Sequence, residues 1–187
     1  MPPATTSCAS PSCTARARLE KIAELKPAFE GNGTVTAANA SKIDDGAAAV
    51  VVASERAVNE YGLSPLARIV AWGHHAQAPE WFTTAPVFAI EKTLARAGLG
   101  VDAVDLFEIN EAFAVVALAC AQLAKVPHDR LNVRGGAVAL GHPIGASGAR
   151  ILTTLLYAMK ERSAERGLCT LCIGGGDAVA MLVEAVA

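Results

Sequence analysis

Apolar positions along the chain change their period several times, and each change marks an element. A short helical stretch from Leu19 to Leu25 is followed by a long polar loop from Pro27 to Gly46. The apolar, partly β-branched run Ala47 to Ala53 then predicts a buried strand. Ser54 is placed to cap a helix ending at Gly62, Pro65 interrupts the chain, and Leu66 to Trp72 reads as a second strand. Helical spacing returns over 86–97 and is closed by Gly98. Val104 to Ile109 reads as a strand, Ala112 to Lys125 as an apolar helix, Leu131 to Val133 as a short strand and Ser147 to Arg162 as a long helix. Leu168 to Ile173 and Val179 to Val186 close the sequence as two strands. Such alternation predicts an α/β domain with a mixed five-stranded sheet and helices on both faces.

Composition narrows the class. A chain of 187 residues accommodates one domain, or one domain and a piece of another, and 52% hydrophobic against 18% charged residues is enough apolar content for a core. That content is small: 39 alanines against 5% aromatics predict close approach of helices and strands. Sixteen basic and eighteen acidic side chains, a net charge of -2, supply no general field for a nucleic acid or an anionic membrane. The longest apolar run, Ala112 to Ala121, is half of what a spanning helix needs. Five cysteines, an odd number, without a secretory-type opening point to free thiols in a reducing compartment, so cytoplasm is expected. Residues 1–18 form a Pro-, Ser- and Thr-rich tail whose only charges are Arg16 and Arg18, an acid-free start that also fits organelle import.

Three segments carry chemistry. In Asn132 to Gly148, five glycines surround His142 immediately before a helix, so backbone passes close to something, and free helix N–H groups face whatever the imidazole faces. The plain alternative is a tight strand-to-helix connection with Ser147 as a cap. Asn110-Glu-Ala-Phe-Ala114 follows a strand, where open α/β sheets hold ligand-contacting residues, although it too can serve as a helix cap. Cys169-Thr-Leu-Cys172 precedes Gly174-Gly-Gly176 and formally contains a C-x-x-C pair. Residues three apart in a strand face opposite ways with Cα atoms about 10 Å apart, beyond the roughly 7 Å reach of a disulfide. Cys172 therefore stands alone at a strand end, with Cys169 and Cys120 read as core. His74, His75 and Glu80 lack the spacing of a metal site, and no dinucleotide or phosphate-loop glycine motif is present.

Taken together, these segments resemble the thiolase superfamily, most closely the C-terminal half of its acetyl-CoA acetyltransferase-type members. Asn132 to Gly148 fits N-x-x-G-G-x-x-x-x-G-H-P-x-G-x-S-G at every fixed position, and Leu168 to Ala180 fits the signature around the second cysteine. Leu25-Lys-Pro-Ala-Phe29, Gly33-Thr-Val-Thr-Ala37, Asn39-Ala-Ser41, Asp45-Gly-Ala47 and Asn110 to Ala114 follow in the family's order, so the resemblance covers about residues 19–187.

The resemblance implies acetyl-CoA C-acetyl transfer: condensation of two acetyl-CoA to acetoacetyl-CoA, or thiolysis in reverse. It assigns Cys172 as the base at the acetyl methyl, and His142 Nε2–H with a water held by Asn110 as donors to the enolate oxygen. The Gly174 N–H is assigned to the acyl-enzyme oxyanion, and His142 also to activation of the nucleophile. Coenzyme A is implied as substrate carrier, with no tightly bound cofactor and no metal. Its pantetheine would lie along Ala37, Ser41, Ala112 and Phe113, with Phe29 near the adenine. By the same resemblance residues 19–43 are the end of a loop domain, 44–65 the last strand and helix of an N-terminal domain, and 66–187 the C-terminal domain.

The family's nucleophilic cysteine belongs to the N-terminal half, and nothing here matches its surroundings; Cys8 and Cys13 lie in the tail without the required helix of small residues. The chain is therefore expected to be inactive alone and to need a complementing half, or to form a homo-oligomer. Lys42, Asp44, Phe82 and Asp177 depart from the family's usual residues, and Phe82 bears on acyl-chain length. Two other readings remain: a non-catalytic module binding acyl-CoA or a partner, and a cysteine hydrolase built on Cys172, His142 and Asn110.

Overall fold

The structure, a computed structural model, describes residues 18–186. The readings made on Cys8, Cys13 and the tail before Arg18 lie outside the described residues.

One mixed sheet organises the chain, in the order β1-β4-β3-β2. Strands β1 (Ala67–Ala76), β3 (Arg166–Ile173) and β4 (Asp177–Ala185) pair antiparallel, while β2 (Leu106–Ile109) joins β3 in parallel. Among the described residues five α-helices accompany them: α1 (Glu55–Tyr61), α2 (Ala85–Ala97), α3 (Ala114–Ala124), α4 (Ala137–Leu140) and α5 (Ser147–Arg162). One face of the sheet is covered by α2 and α3 in a core that includes Ile90, Phe107, Val116, Leu168 and Leu182. The other is covered by α5 through Ile151, Leu155 and Met159 against Leu106, Cys169 and Val183. The expected α/β class with helices on both faces is thus observed. Cys169 and Cys172 fall in the two different cores, as strand alternation requires.

The sheet has four strands rather than five. Leu131 makes only an isolated parallel bridge to Phe107, because Asn132 turns the backbone to a φ of 44°. Its side-chain amide takes over the pairing: Oδ1 accepts from the Ile109 N–H at 2.8 Å and Nδ2 donates to the Ile109 carbonyl at 2.9 Å. The run Ala47 to Ala53 is neither a strand nor buried; Val51 is 95% and Val52 72% exposed. β-branched residues favour extended backbone, but a strand needs a neighbour, and none of the described segments pairs with this one. Helix α3 begins at Ala114, two residues later than periodicity suggests, because Ala112 and Phe113 are held by the loop at residues 39–41. Ser54 caps α1 as expected, its Oγ accepting from the Ala57 N–H at 3.2 Å. No helix among the described residues is long and apolar enough to cross a membrane.

Candidate active site

The carboxyl end of β2 delivers Asn110 into a polar cluster. Asn110 is 1% exposed, and its N–H donates to the Thr170 carbonyl at 3.0 Å, which extends the β2–β3 ladder by one bond. From this anchored position its Oδ1 accepts from Arg150 Nη2 at 2.9 Å, while Nδ2 lies 3.3 Å from His142 Nε2. On the other side of the ring, His142 Nδ1 lies 2.6 Å from Ser147 Oγ, and that hydroxyl donates to the Pro143 carbonyl at 3.0 Å.

Two backbone features hold the imidazole there. The His142 N–H donates to the Lys42 carbonyl at 2.7 Å, so the loop at 39–43 fixes the turn from outside. Gly141 adopts a φ of +95°, and a Cβ there would approach Asp44 Oδ2 to 2.5 Å, so the turn admits no side chain. Ser147 is not a cap: it is the first residue of α5, and its hydroxyl reaches back to residue 143. In place of a cap, the Ser147 hydroxyl joins the His142 ring to the Pro143 carbonyl.

Donor and acceptor inventories settle the protonation of this chain of bonds. A guanidinium only donates, so Oδ1 of Asn110 faces Arg150 and its NH2 faces His142. Nε2 then accepts, Nδ1 carries the proton, and Ser147 Oγ receives it. The resting imidazole therefore presents a lone pair at Nε2, whereas the resemblance assigned that atom as an N–H donor; the donor form arises only once Nε2 takes up a proton. Burial, reinforced by the Arg150 charge, holds His142 below its ordinary 6.5, which keeps it neutral near pH 7.

Cys172 is the penultimate residue of β3, two positions before the turn residues Gly174 to Gly176, and is buried in the α2/α3 core. Burial pushes its thiol above the ordinary 9.0, against a hydrogen bond from its own backbone, so the resting group is a neutral thiol. Cys120 lies close enough to interact with it electrostatically and donates to the Thr83 carbonyl at 3.3 Å. Gly174 is exposed in the β3–β4 turn, and Gly176 is locked at a φ of +92° against the Gln77 carbonyl. Asn110 and Cys172 thus end neighbouring parallel strands, the thiol on the α2/α3 side and the imidazole bonded to groups from α5.

The residues expected along a pantetheine arm are partly assembled. Ser41 donates to the Ala112 carbonyl from its N–H at 3.0 Å and its Oγ at 2.8 Å, and Ala40 bridges Phe113. The Phe113 ring meets Phe29 edge-on at 5.9 Å and Phe82 at 6.5 Å. Ala37 sits exposed in the turn that Asn39 closes by accepting from the Thr36 N–H at 2.7 Å.

Residues 63–185 match the model of the thiolase C-terminal domain, and residues 9–56 match that of the thiolase N-terminal domain. The chain belongs to the thiolase family. It is 53% identical over 165 residues to a probable acetyl-CoA acetyltransferase of Dictyostelium discoideum, covering 88% of this chain and 40% of the relative. The crystal structure of the Bacillus anthracis acetyl-CoA acetyltransferase superposes with a TM-score of 0.87 at 45% identity, over 89% of this chain and 42% of that one. Human mitochondrial 3-ketoacyl-CoA thiolase in complex with CoA gives 0.86 at 40% identity, over 92% and 44%. This thiolase chain therefore spans about two fifths of the length of the relatives it matches.

Two members of the cluster escaped the sequence reading. Arg150 is a cation in the first turn of α5, beside the buried Ile151, and Glu108 is an acid inside the apolar strand Leu106-Phe107-Glu108-Ile109. A charge inside a buried strand is the signal that could have found Glu108, whereas Arg150 lies outside the buried register of α5 and leaves no such signal. Of the departures from the family pattern, Asp177 has a local partner: it pairs with His74 Nε2 at 2.9 Å.

Proposed function

We propose that this chain supplies the proton-handling half of an acyl-CoA acyltransferase of the acetyl-CoA acetyltransferase type, and that a nucleophilic cysteine comes from a complementing N-terminal thiolase half. The observation that carries this reading is the Asn110–His142–Ser147 chain at the end of β2, which leaves a neutral imidazole with a basic Nε2.

The resting protonation states suit thiolysis. The nucleophilic thiol gives its proton to His142 Nε2 as it attacks the β-keto carbon of acetoacetyl-CoA. The new Nε2–H and the Asn110 NH2 are then two donors directed at one region, where a developing oxyanion or enolate oxygen is stabilised. The C–C bond breaks with its electron pair leaving as the acetyl-CoA enolate, the Cys172 thiol protonates that carbon, and acetyl remains on the nucleophile as a thioester. The thiol of a second coenzyme A then takes the acetyl group, its proton ending on the Cys172 thiolate, and the nucleophilic thiolate released in this step recovers its proton from His142 Nε2. Gly174 N–H serves the oxyanion of that step. Condensation is the microscopic reverse, with the Cys172 thiolate as base.

Coenzyme A is the substrate carrier in this reading, lying along Ala37, Ser41, Ala112 and Phe113 with Phe29 at the nucleotide end. Phe82 against Phe113 narrows the acyl end and favours short chains such as acetoacetyl. The proposed setting is the cytoplasm. Mixing the chain with a matching N-terminal half and assaying acetoacetyl-CoA thiolysis tests the proposal: activity is expected only from the mixture. An inactive mixture, or full activity from this chain alone, contradicts it. The alternative of a silent binding module predicts CoA binding with no activity under any complementation.

A further inference from the structure

We propose that Arg150, with Glu108 as its counter-charge, is a positioning residue that fixes the amide orientation of Asn110 and through it the tautomer of His142. The inference deepens the reading of Asn110 and His142 given above and rests on it for its consequence in catalysis.

Three observations meet at Arg150. Its Nη2 donates to Asn110 Oδ1 at 2.9 Å, while its Nε and Nη1 are buried without a hydrogen-bond partner. Glu108, 2% exposed and with Oε1 likewise unpartnered, is the opposite charge that acts on it most strongly. A half-buried cation that leaves two of its three nitrogens buried without a partner is costly, so its hydrogen bonding does not account for its presence as a stabilising device. What the arrangement does achieve is directional. Glu108 and Asn110, two apart at the end of β2, share one face of the strand, and both interact with the same guanidinium. Arg150 and Ser147, three apart on α5, share one face of the helix, so a single helix holds both ends of the chain of bonds through His142.

Without Arg150, the Asn110 amide has a second self-consistent state. Turned over, its Oδ1 faces Nε2 and accepts from an Nε2–H; Nδ1 is then bare, and Ser147 must leave the Pro143 carbonyl to donate to it. With Arg150 present this state sets the Asn110 NH2 against the guanidinium donors. Arg150 thereby selects the Nδ1–H tautomer, the one whose Nε2 can accept a proton.

The test is 15N-histidine NMR of the 187-residue chain near pH 7.5, with thermal unfolding as a fold control. In the parent, His142 is expected as a single neutral Nδ1–H tautomer, with the Asn110 side-chain NH2 showing nuclear Overhauser contacts to the His142 ring. Arg150→Met, which keeps volume but removes donor and charge, is expected to change the tautomer ratio at least about fivefold, the weight of one hydrogen bond, and Arg150→Lys to restore it. An Nε2–H tautomer in the parent overturns the proposal without any variant, even if Arg150→Met fails to fold. A folded Arg150→Met with the parent's tautomer overturns it as well. Thiolysis by the mixture with the N-terminal half separates this inference from the one beneath it: a tautomer change with no thiolysis even by the parent supports the positioning role and refutes the acyltransferase reading.

Discussion

For thiolysis, His142 has to be neutral and Cys172 has to hold its proton, and burial pushes both groups toward those forms. The sign follows directly. Imidazole binds a proton below a pKa depressed from 6.5, which removes the base; the thiol ionises above a pKa raised from 9.0, which removes the acid. The kcat/KM of the complemented enzyme is expected to be flat between those limits, with an acid limb below 6.5 that disappears in His142→Ala. A limb centred well above 7 contradicts the assignment. Glu108 has a separate signature in stability. Its carboxyl is pushed up by burial to about 7 from 4.5, so the unfolded chain ionises first, and the contribution of this one group to stability declines as pH rises from 4.5 and is gone above 7. Glu108→Gln removes that loss. The stability difference between variant and parent is expected to shift in the variant's favour by on the order of 2 kcal/mol between pH 5 and pH 8, read by urea unfolding. No change with pH would show that Glu108 is ionised in the fold at little cost. Asn110, His142 and Cys172 could be named from sequence because their motifs are local. Arg150 could not, because its relevance appears only when α5 is laid beside β2.

Elements were legible where periodicity and caps agreed and illegible where pairing decided. Helix α5 runs from Ser147 to Arg162 as its pattern indicates, and Gly98 ends α2 in a left-handed cap. Leu131 to Val133 has strand-like residues, yet the positive φ of Asn132 ends the pairing after one bridge, a feature carried by a side-chain amide rather than by hydrophobicity. Valines 50 to 52 read as buried, but burial depends on a neighbour that periodicity does not reveal. The β3–β4 turn is the element on which Cys172 and Gly174 both depend. At Gly176, a Cβ would come 2.1 Å from the Gln77 carbonyl at a φ of +92°. Gly176→Ala is expected to lower stability by at least about 2 kcal/mol in urea unfolding. Parent-like stability would mean that the turn is free to relax, and with it the ends of both strands.

At the scale of the molecule, the segment from Lys42 to Val52 gives the Lys42 carbonyl to the His142 turn, sets Asp44 against Gly141, and exposes Ile43 at 88% and Val51 at 95%. An apolar stretch of this kind is a liability in isolation and is consistent with a complementing half. In the proposed reaction the groups that the enolate needs, the Cys172 thiol and the His142 and Asn110 nitrogen donors, lie among the described residues. Proton exchange at the acetyl methyl of acetyl-CoA requires those groups alone. The most direct measurement is therefore deuterium incorporation into that methyl in heavy water, by this chain mixed with an N-terminal half whose nucleophilic cysteine has been replaced by alanine. Exchange well above the uncatalysed rate, lost on Cys172→Ser and strongly reduced on His142→Ala or Asn110→Ala, is the result expected. Exchange that persists unchanged in Cys172→Ser, or that never rises above background in the parent mixture, would contradict the assignment of proton transfer to this half.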